Sequence, residues 1–464
     1  MFSLKEKEVN TGRQRELDLV KGFLLIMIVF IHSFQTIGGV AAAESNVHKI
    51  LFALFMPTGA CLYLFTMGFG SAFTRHSQPK DMVKNGIKLL FYQGLSNLCY
   101  AAVMTISFNI RNSITVEAAG SRELYDANLY SMLTFVNIFF IAGMCYLVLA
   151  VYRKLNVSLR GYVISAVIVG IISPFTKLLV SDDPAINWIL DMTFGGKGET
   201  SFCFFPYLSY VFLGYVFGKV LRRIPEDEKG NFYKKSGIIC GITAAVWFIC
   251  CIVLHPGIEG FFNYMIEQYR IPGLAKVLGS FCSIIFVFAA AFRIMPMMEK
   301  WKFGYNKLCY YSKQISKMYA VHIGVYWTLA GFAAFYEFGV KECLILSVAA
   351  LIVTDLLVHG YIIITDKIKT ENSRMLFICT KKQTTFYDLC FIKCGLTVSC
   401  VLFIEPGNNI QRPIWCVHTS VHLDWFQSSH GDGGYVHPQY VHHPDTHIPI
   451  QCSAGSHDCK PYSD

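Results

Sequence analysis

What most restricts this chain is a succession of apolar stretches, each long enough to cross a bilayer. A helix needs about 20 apolar residues to span the hydrocarbon core. Ten stretches qualify: 20–42, 50–74, 88–110, 129–151, 161–180, 200–219, 236–256, 274–292, 312–336 and 343–365. A water-soluble globule has no interior large enough for all of them. Of the 464 residues 54 % are apolar and only 15 % charged, against about 25 % charged in an ordinary soluble domain. The expected fold is therefore all-α, a polytopic membrane bundle of about ten transmembrane helices. The first stretch is too long for a secretory signal, and no small-x-small cleavage site follows a short apolar core.

Lysine and arginine stay on the cytoplasmic side, so the connectors predict orientation. The N-terminus carries Lys5, Lys7, Arg13 and Arg15, and the second connector Arg75, Lys80 and Lys84. The fourth, sixth and eighth are basic as well, through Arg153, Lys154 and Arg160, then Arg222, Arg223, Lys229, Lys234 and Lys235, then Arg293, Lys300, Lys302 and Lys307. Odd connectors carry acids instead: Glu117, Glu123 and Asp126 in the third, Asp182, Asp183, Asp191 and Glu199 in the fifth. The alternation predicts ten spans with both termini of the bundle cytoplasmic. Because the basic residues are scattered between apolar runs, no nucleic-acid surface is expected.

The pattern divides the chain into a membrane domain, 1–370, and an atypical tail, 371–464. Eight of the 14 histidines follow residue 416, in a polar stretch rich in Pro, Gln, Gly and Cys. The run 386–404 is apolar but contains Asp388 and Lys393, and it ends at Pro406-Gly407. It reads either as an eleventh span or, preferably, as part of a disordered appendage. The break is as abrupt as a change of reading frame would make it. The tail's His and Cys spacing fits no structural zinc pattern, and most of the 17 cysteines, such as Cys61, Cys99, Cys145 and Cys282, stand singly in apolar runs as small buried hydrophobes. No metal site is expected.

Ionisable residues at bilayer depth are costly, which makes each a candidate for function. His32 follows Lys21 by eleven residues, or about 16 Å of helix. At that depth a neutral imidazole is expected, as general-base catalysis requires. A packing histidine bonded to a carbonyl explains the position equally well. His322 lies inside the ninth span with the same two readings. Asp355 interrupts the tenth and needs a partner on another helix. Asp18 stands three residues before Lys21, within reach of it on one helix face. Lys84 and Lys88 share a face of the third span and, with Lys21 and Arg75, would form a basic cluster for an anionic donor such as coenzyme A. The positive-inside rule alone also accounts for them.

Several segments in order carry a resemblance. Arg15-Glu16-Leu17-Asp18-Leu19-Val20-Lys21-Gly22 leads into the helix with His32. Gly59-Ala60-Cys61-Leu62-Tyr63 is followed by Lys84-Asn85-Gly86-Ile87-Lys88, then by Asn137-Ile138-Phe139-Phe140. Phe205-Pro206-Tyr207-Leu208 follows with Gly214 and Gly218, and Tyr319-Ala320-Val321-His322 comes last. Together they resemble the integral-membrane acyltransferase superfamily, which includes the acyltransferase-three and heparan-glucosaminide acetyltransferase-like families. Members open with an arginine ten intervening residues before a catalytic histidine, and this chain has Lys21 at that spacing. Lysine replaces arginine at the third span as well, and it lacks arginine's planar fork toward phosphate.

The resemblance covers roughly residues 13–365. It implies transfer of an acyl group, with acetyl-CoA the expected donor, from cytoplasmic acyl-CoA to a sugar or glycan on the extracytoplasmic side. His32 and His322 would be catalytic, and Lys21, Arg75, Lys84 and Lys88 would receive the donor. Asp18, Asn137 and Asp355 would have positioning roles, and Glu199 would be near the sugar. The expected setting is the plasma membrane, with lipid around a monomer or a homo-oligomer. The alternative is a secondary transporter or flippase for a small polar solute, built of five plus five inverted spans. Against it, the membrane histidines occupy spans one and nine, which do not correspond under that division.

Overall fold

The computed structural model describes residues 5–55, 57–74, 78–115, 119–196, 203–333 and 338–381. The chain divides into two units, 1–383 and 384–464, and every described residue belongs to the first. Arg75, Glu199 and the tail from residue 382 lie outside the described residues.

Within them the chain is helical throughout. In order the helices are α1 (Arg15–Thr36), α2 (Val40–Ala43), α3 (Asn46–Phe55), α4 (Gly59–Phe73), α5 (Pro79–Ile114), α6 (Ala119–Leu133), α7 (Ile138–Lys154) and α8 (Leu159–Thr176). They continue as α9 (Pro184–Phe194), α10 (Phe204–Leu221), α11 (Glu226–Leu254), α12 (Gly257–Arg270), α13 (Leu274–Lys300), α14 (Lys302–Lys313), α15 (Ile315–Ala333) and α16 (Val340–Lys381). The last runs past the composition break at residue 370.

Nine stretches among the described residues are long and apolar enough to cross a membrane: α1, Asn46–Phe73, α5, Gly120–Lys154, α8, α10, α11, α13 and Val340–Ile368. The remaining expected span, the ninth at 312–336, is present as α15, 19 residues long, but is less apolar than these. Lys317 and His322 lower its hydropathy. The helix is enclosed by α1, α5, α14 and α16, so it has less need of an apolar surface than a helix facing lipid. The outward faces are apolar elsewhere. On α11 alone Ile238, Ile239, Ile242, Val246 and Ile249 are exposed. In water such a stripe would aggregate; against lipid it is the expected surface. The protein is an integral membrane protein. Cys61 and Cys145 are buried as expected, whereas Cys99 faces outward.

Two expected spans are broken. Pro57 lies between α3 and α4, where its ring and missing N–H stop a helix. Thr134–Asn137 separates α6 from α7. Free backbone groups inside a membrane need partners, and α5 provides them. Gln93 Nε2 donates to Phe135 O at 2.6 Å, and Asn97 Nδ2 donates to Phe135 O at 2.8 Å and Leu133 O at 3.1 Å. Asn137 is fully buried and caps α7, its Oδ1 accepting from the Phe139 N–H at 2.8 Å. Its backbone N–H donates to Gln93 Oε1 at 3.2 Å and its Nδ2 to Ser96 Oγ at 3.1 Å. The spacing 93, 96, 97 puts these polar groups on one face of α5.

A second polar knot ties α1 to α11. Glu16 and Lys229 are both buried, with Nζ and Oε1 3.1 Å apart. Lys229 also donates to Gln14 Oε1 at 2.7 Å, and the Tyr233 hydroxyl donates to Glu16 Oε1 at 2.9 Å. Breaking such a pair strands the surviving charge. Glu16→Ala is expected to destabilise the protein by about 3 kcal/mol. Glu16→Gln, which keeps an acceptor for Tyr233 and Lys229, should lose less. Thermal melts of the two variants in detergent check the order.

Candidate active site

A cleft of about 570 Å³, counting its open mouth, lies among α1, α3, α4, α7, α12 and α15. Most of its lining is apolar, including Ile28, Ile31, Phe52, Phe55 and Ile138, and the polar groups are His32, Gln35, Tyr63, Tyr269 and Tyr319. Both helix breaks contribute to its wall. Phe55 and Gly59 flank the Pro57 interruption, and Ile138 is the first residue of α7 after its Asn137 cap. Tyr269 is held where Tyr207 donates its hydroxyl hydrogen to the Tyr269 carbonyl at 2.5 Å.

The two membrane histidines meet here. His32 Nδ1 is 2.8 Å from His322 Nε2. The ring centroids are 5.1 Å apart and the planes only 11° from parallel. That spacing is close to the N···N distance plus two ring radii, so the rings meet edge to edge along a hydrogen bond. His322 is fully buried, and its Nδ1 stands 3.1 Å from the Met318 carbonyl oxygen, which can only accept. Nδ1 of His322 therefore carries its proton and Nε2 is a lone-pair acceptor. Nδ1 of His32 must then be the donor between the rings. Nε2 of His32 is left as a basic nitrogen, with no hydrogen-bond partner among the described residues and not sealed from the cleft that His32 lines. Tyr319 stands edge-on to both rings, 6.2 Å from His32 and 5.2 Å from His322.

The other expected residues sit in varied surroundings. Lys21 is half-buried on α1, one turn beyond Asp18. The two do not form an ion pair, because Asp18 is already engaged. Arg13 Nε donates to its Oδ2 at 2.6 Å, and Ser312 Oγ donates to its Oδ1 at 2.9 Å. Lys84 and Lys88 are exposed on α5, Lys88 with its ammonium 5.4 Å from the Tyr92 ring centroid. The main packing partners of α5 are α6, α7 and α15, while those of α1 are α13, α14, α15 and α16, so no direct packing gathers these lysines beside Lys21. Asp355 has the partner on another helix that it needs: Lys307 of α14, at 2.6 Å. That contact ties α14 to α16. Sequence reasoning passed over Gln35, although it lies three residues from His32 on the same helix face, and over Tyr269, which sits outside every apolar run.

A polytopic helical membrane protein with a lone-pair imidazole nitrogen in an intramembrane cleft has the makings of a membrane group-transfer enzyme. Residues 13–250 match the family model described as heparan-alpha-glucosaminide N-acetyltransferase, catalytic. The match spans about half of the chain, and the protein belongs to this family of membrane acetyltransferases. No curated protein matches the chain. The matched segment includes Lys21, His32, Lys84, Lys88 and Asn137 and stops short of His322.

Proposed function

We propose that the protein transfers an acetyl group from acetyl-CoA, entering from the cytoplasm, to an amine or hydroxyl of a sugar presented on the extracytoplasmic side of the cell membrane. The observation that carries this reading is the Met318–His322–His32 chain, which leaves one basic nitrogen on the cleft. The acceptor's nucleophilic atom attacks the thioester carbon, and Nε2 of His32 takes its proton. The tetrahedral intermediate then breaks its C–S bond. The proton passes from His32 to the departing thiolate, leaving coenzyme A as the free thiol. While His32 is cationic, its Nδ1–H bond to His322 Nε2 is charge-assisted and stronger. His322 thus favours the charged state that occurs only during transfer. Lys21, about 16 Å along α1 from His32, offers charge to the anionic end of coenzyme A while the slim pantetheine arm reaches the cleft. Lys84 and Lys88 add a diffuse positive field along the same side.

Purified protein in detergent, given labelled acetyl-CoA and glucosamine, should form labelled N-acetylglucosamine. Lys21→Ala should raise the KM for acetyl-CoA about tenfold, the size of one lost charge contact, with a smaller change in kcat. Lys21→Ala/Lys84→Ala/Lys88→Ala should weaken binding further. A well-folded wild type that shows no saturable binding of acetyl-CoA would remove the reading.

A further inference from the structure

Beside the cleft lies a second polar cluster that the transfer chemistry does not use. Lys276 of α13 is fully buried, yet Nζ has no hydrogen-bond partner and no carboxylate among the described residues pairs with it. Its ammonium stands 5.4 Å from the Trp247 ring centroid. One turn on along α13 is the buried Ser280 hydroxyl, beside the buried Tyr210 hydroxyl of α10. Among the described residues these two have only each other and the Cys61 thiol as partners, and the Trp247 indole N–H has none. Ser280 and Tyr210 gather around Cys61, which is also within electrostatic reach of Lys276. Cys61 follows the cleft residue Ala60, and Trp247 packs in the same apolar cluster as the cleft residues Phe52 and Tyr269.

All four groups can donate, and Lys and Trp can do nothing else. The cation is also placed against the usual rule. It sits in the first turn of α13, which begins at Gly273 with no capping side chain, where the helix dipole is positive and repels an ammonium. An anion offsets both the burial and the dipole. Coenzyme A is a poor source for it, because its phosphates lie a whole pantetheine arm from the thioester. An acceptor sugar held near His32 can carry its own charge.

We propose that Lys276, with Tyr210, Ser280 and Trp247, forms a recognition site for a carboxylate on the acceptor sugar. The proposal rests on reading the cleft as the acceptor site, and it makes an acidic sugar the preferred substrate. Two acceptors test it: methyl glucosaminide and the same sugar with its C6 oxidised to a carboxylate. Wild type should favour the acid by at least about tenfold in kcat/KM, and Lys276→Met should bring the ratio to about one. An unchanged ratio in Lys276→Met, or no preference in wild type, overturns the proposal. A readout without turnover separates the two readings. Methyl glucuronoside, but not methyl glucoside, should raise the Tm of wild type, with the shift lost in Lys276→Met and reduced in Ser280→Ala. No shift in folded wild type overturns the site even if acetyl transfer proceeds. A shift in a protein that transfers no acetyl group keeps the site and removes the acyltransferase reading.

Discussion

His32→Ala is expected to lower acetyl transfer by about 10³-fold or more, toward the upper end of what a positioned general base contributes. Among the described residues the side chain's single hydrogen bond is to His322, so its loss should leave the bundle folded. Single-turnover transfer from labelled acetyl-CoA, measured beside the thermal melt and the binding of acetyl-CoA, separates chemistry from folding. The expected variant melts near wild type, binds the donor and fails to transfer. His322→Phe keeps a flat buried ring and removes the acceptor for His32 Nδ1–H. It should lose about 10²-fold, because the base remains while the stabilisation of its charged form is gone. Retained transfer by His32→Ala would end the proposed mechanism.

Gly214→Ala should cost about 3 kcal/mol or more, high for overpacking, although it adds one methyl group to a helix. The reason is the packing of α4 on α10, the most extensive helix pair in the bundle. A Cβ on Gly214 would run into the Phe65 carbonyl, and one on Gly68 would run into that of Val211. Both obstacles are backbone oxygens, which cannot swing aside as a side-chain tip can. The two helices would have to separate and give up the aromatic packing of Phe65, Phe69, Phe217 and Phe288 around them. Small residues at such crossings let membrane helices approach closely. Gly70, two residues on from Gly68 in the same helix, is the control. A Cβ there meets nothing within 4 Å, so Gly70→Ala should be neutral or gain up to about 1 kcal/mol of helix propensity. Melting temperatures of the three variants in one detergent decide the matter. Equal melting of Gly214→Ala and wild type would show that the crossing can relax.

Much of this architecture is visible in one dimension. Each of the ten apolar stretches contains helix among the described residues, and His32 stands out because an imidazole in the first of them is costly. In the sequence Asn137 is singled out only by the resemblance, and its task in the fold, capping the resumed helix with the help of Gln93 and Ser96, is set by packing. The breaks themselves were hidden by hydropathy, which averages over 134–137 and sees one continuous span. The Glu16–Lys229 pair was equally hidden, since each residue reads as an ordinary charge near a helix start.

What the sequence by itself determined is the class of fold and where its costly residues interrupt the apolar stretches, because apolar length and polar interruption are properties of neighbours along the chain. The family match over 13–250 adds membership of a family of membrane acetyltransferases. Only the tertiary structure decided that His32 meets His322 across 290 positions, that Asp18 turns to Arg13 and Ser312 rather than Lys21, and that Lys276 is buried among donors beside the cleft. Helical periodicity relates a residue to partners three or four positions away. Contacts across the bundle are set instead by which helix faces interlock, here by close crossings such as Gly68 and Gly214, and that is a property of the packed whole.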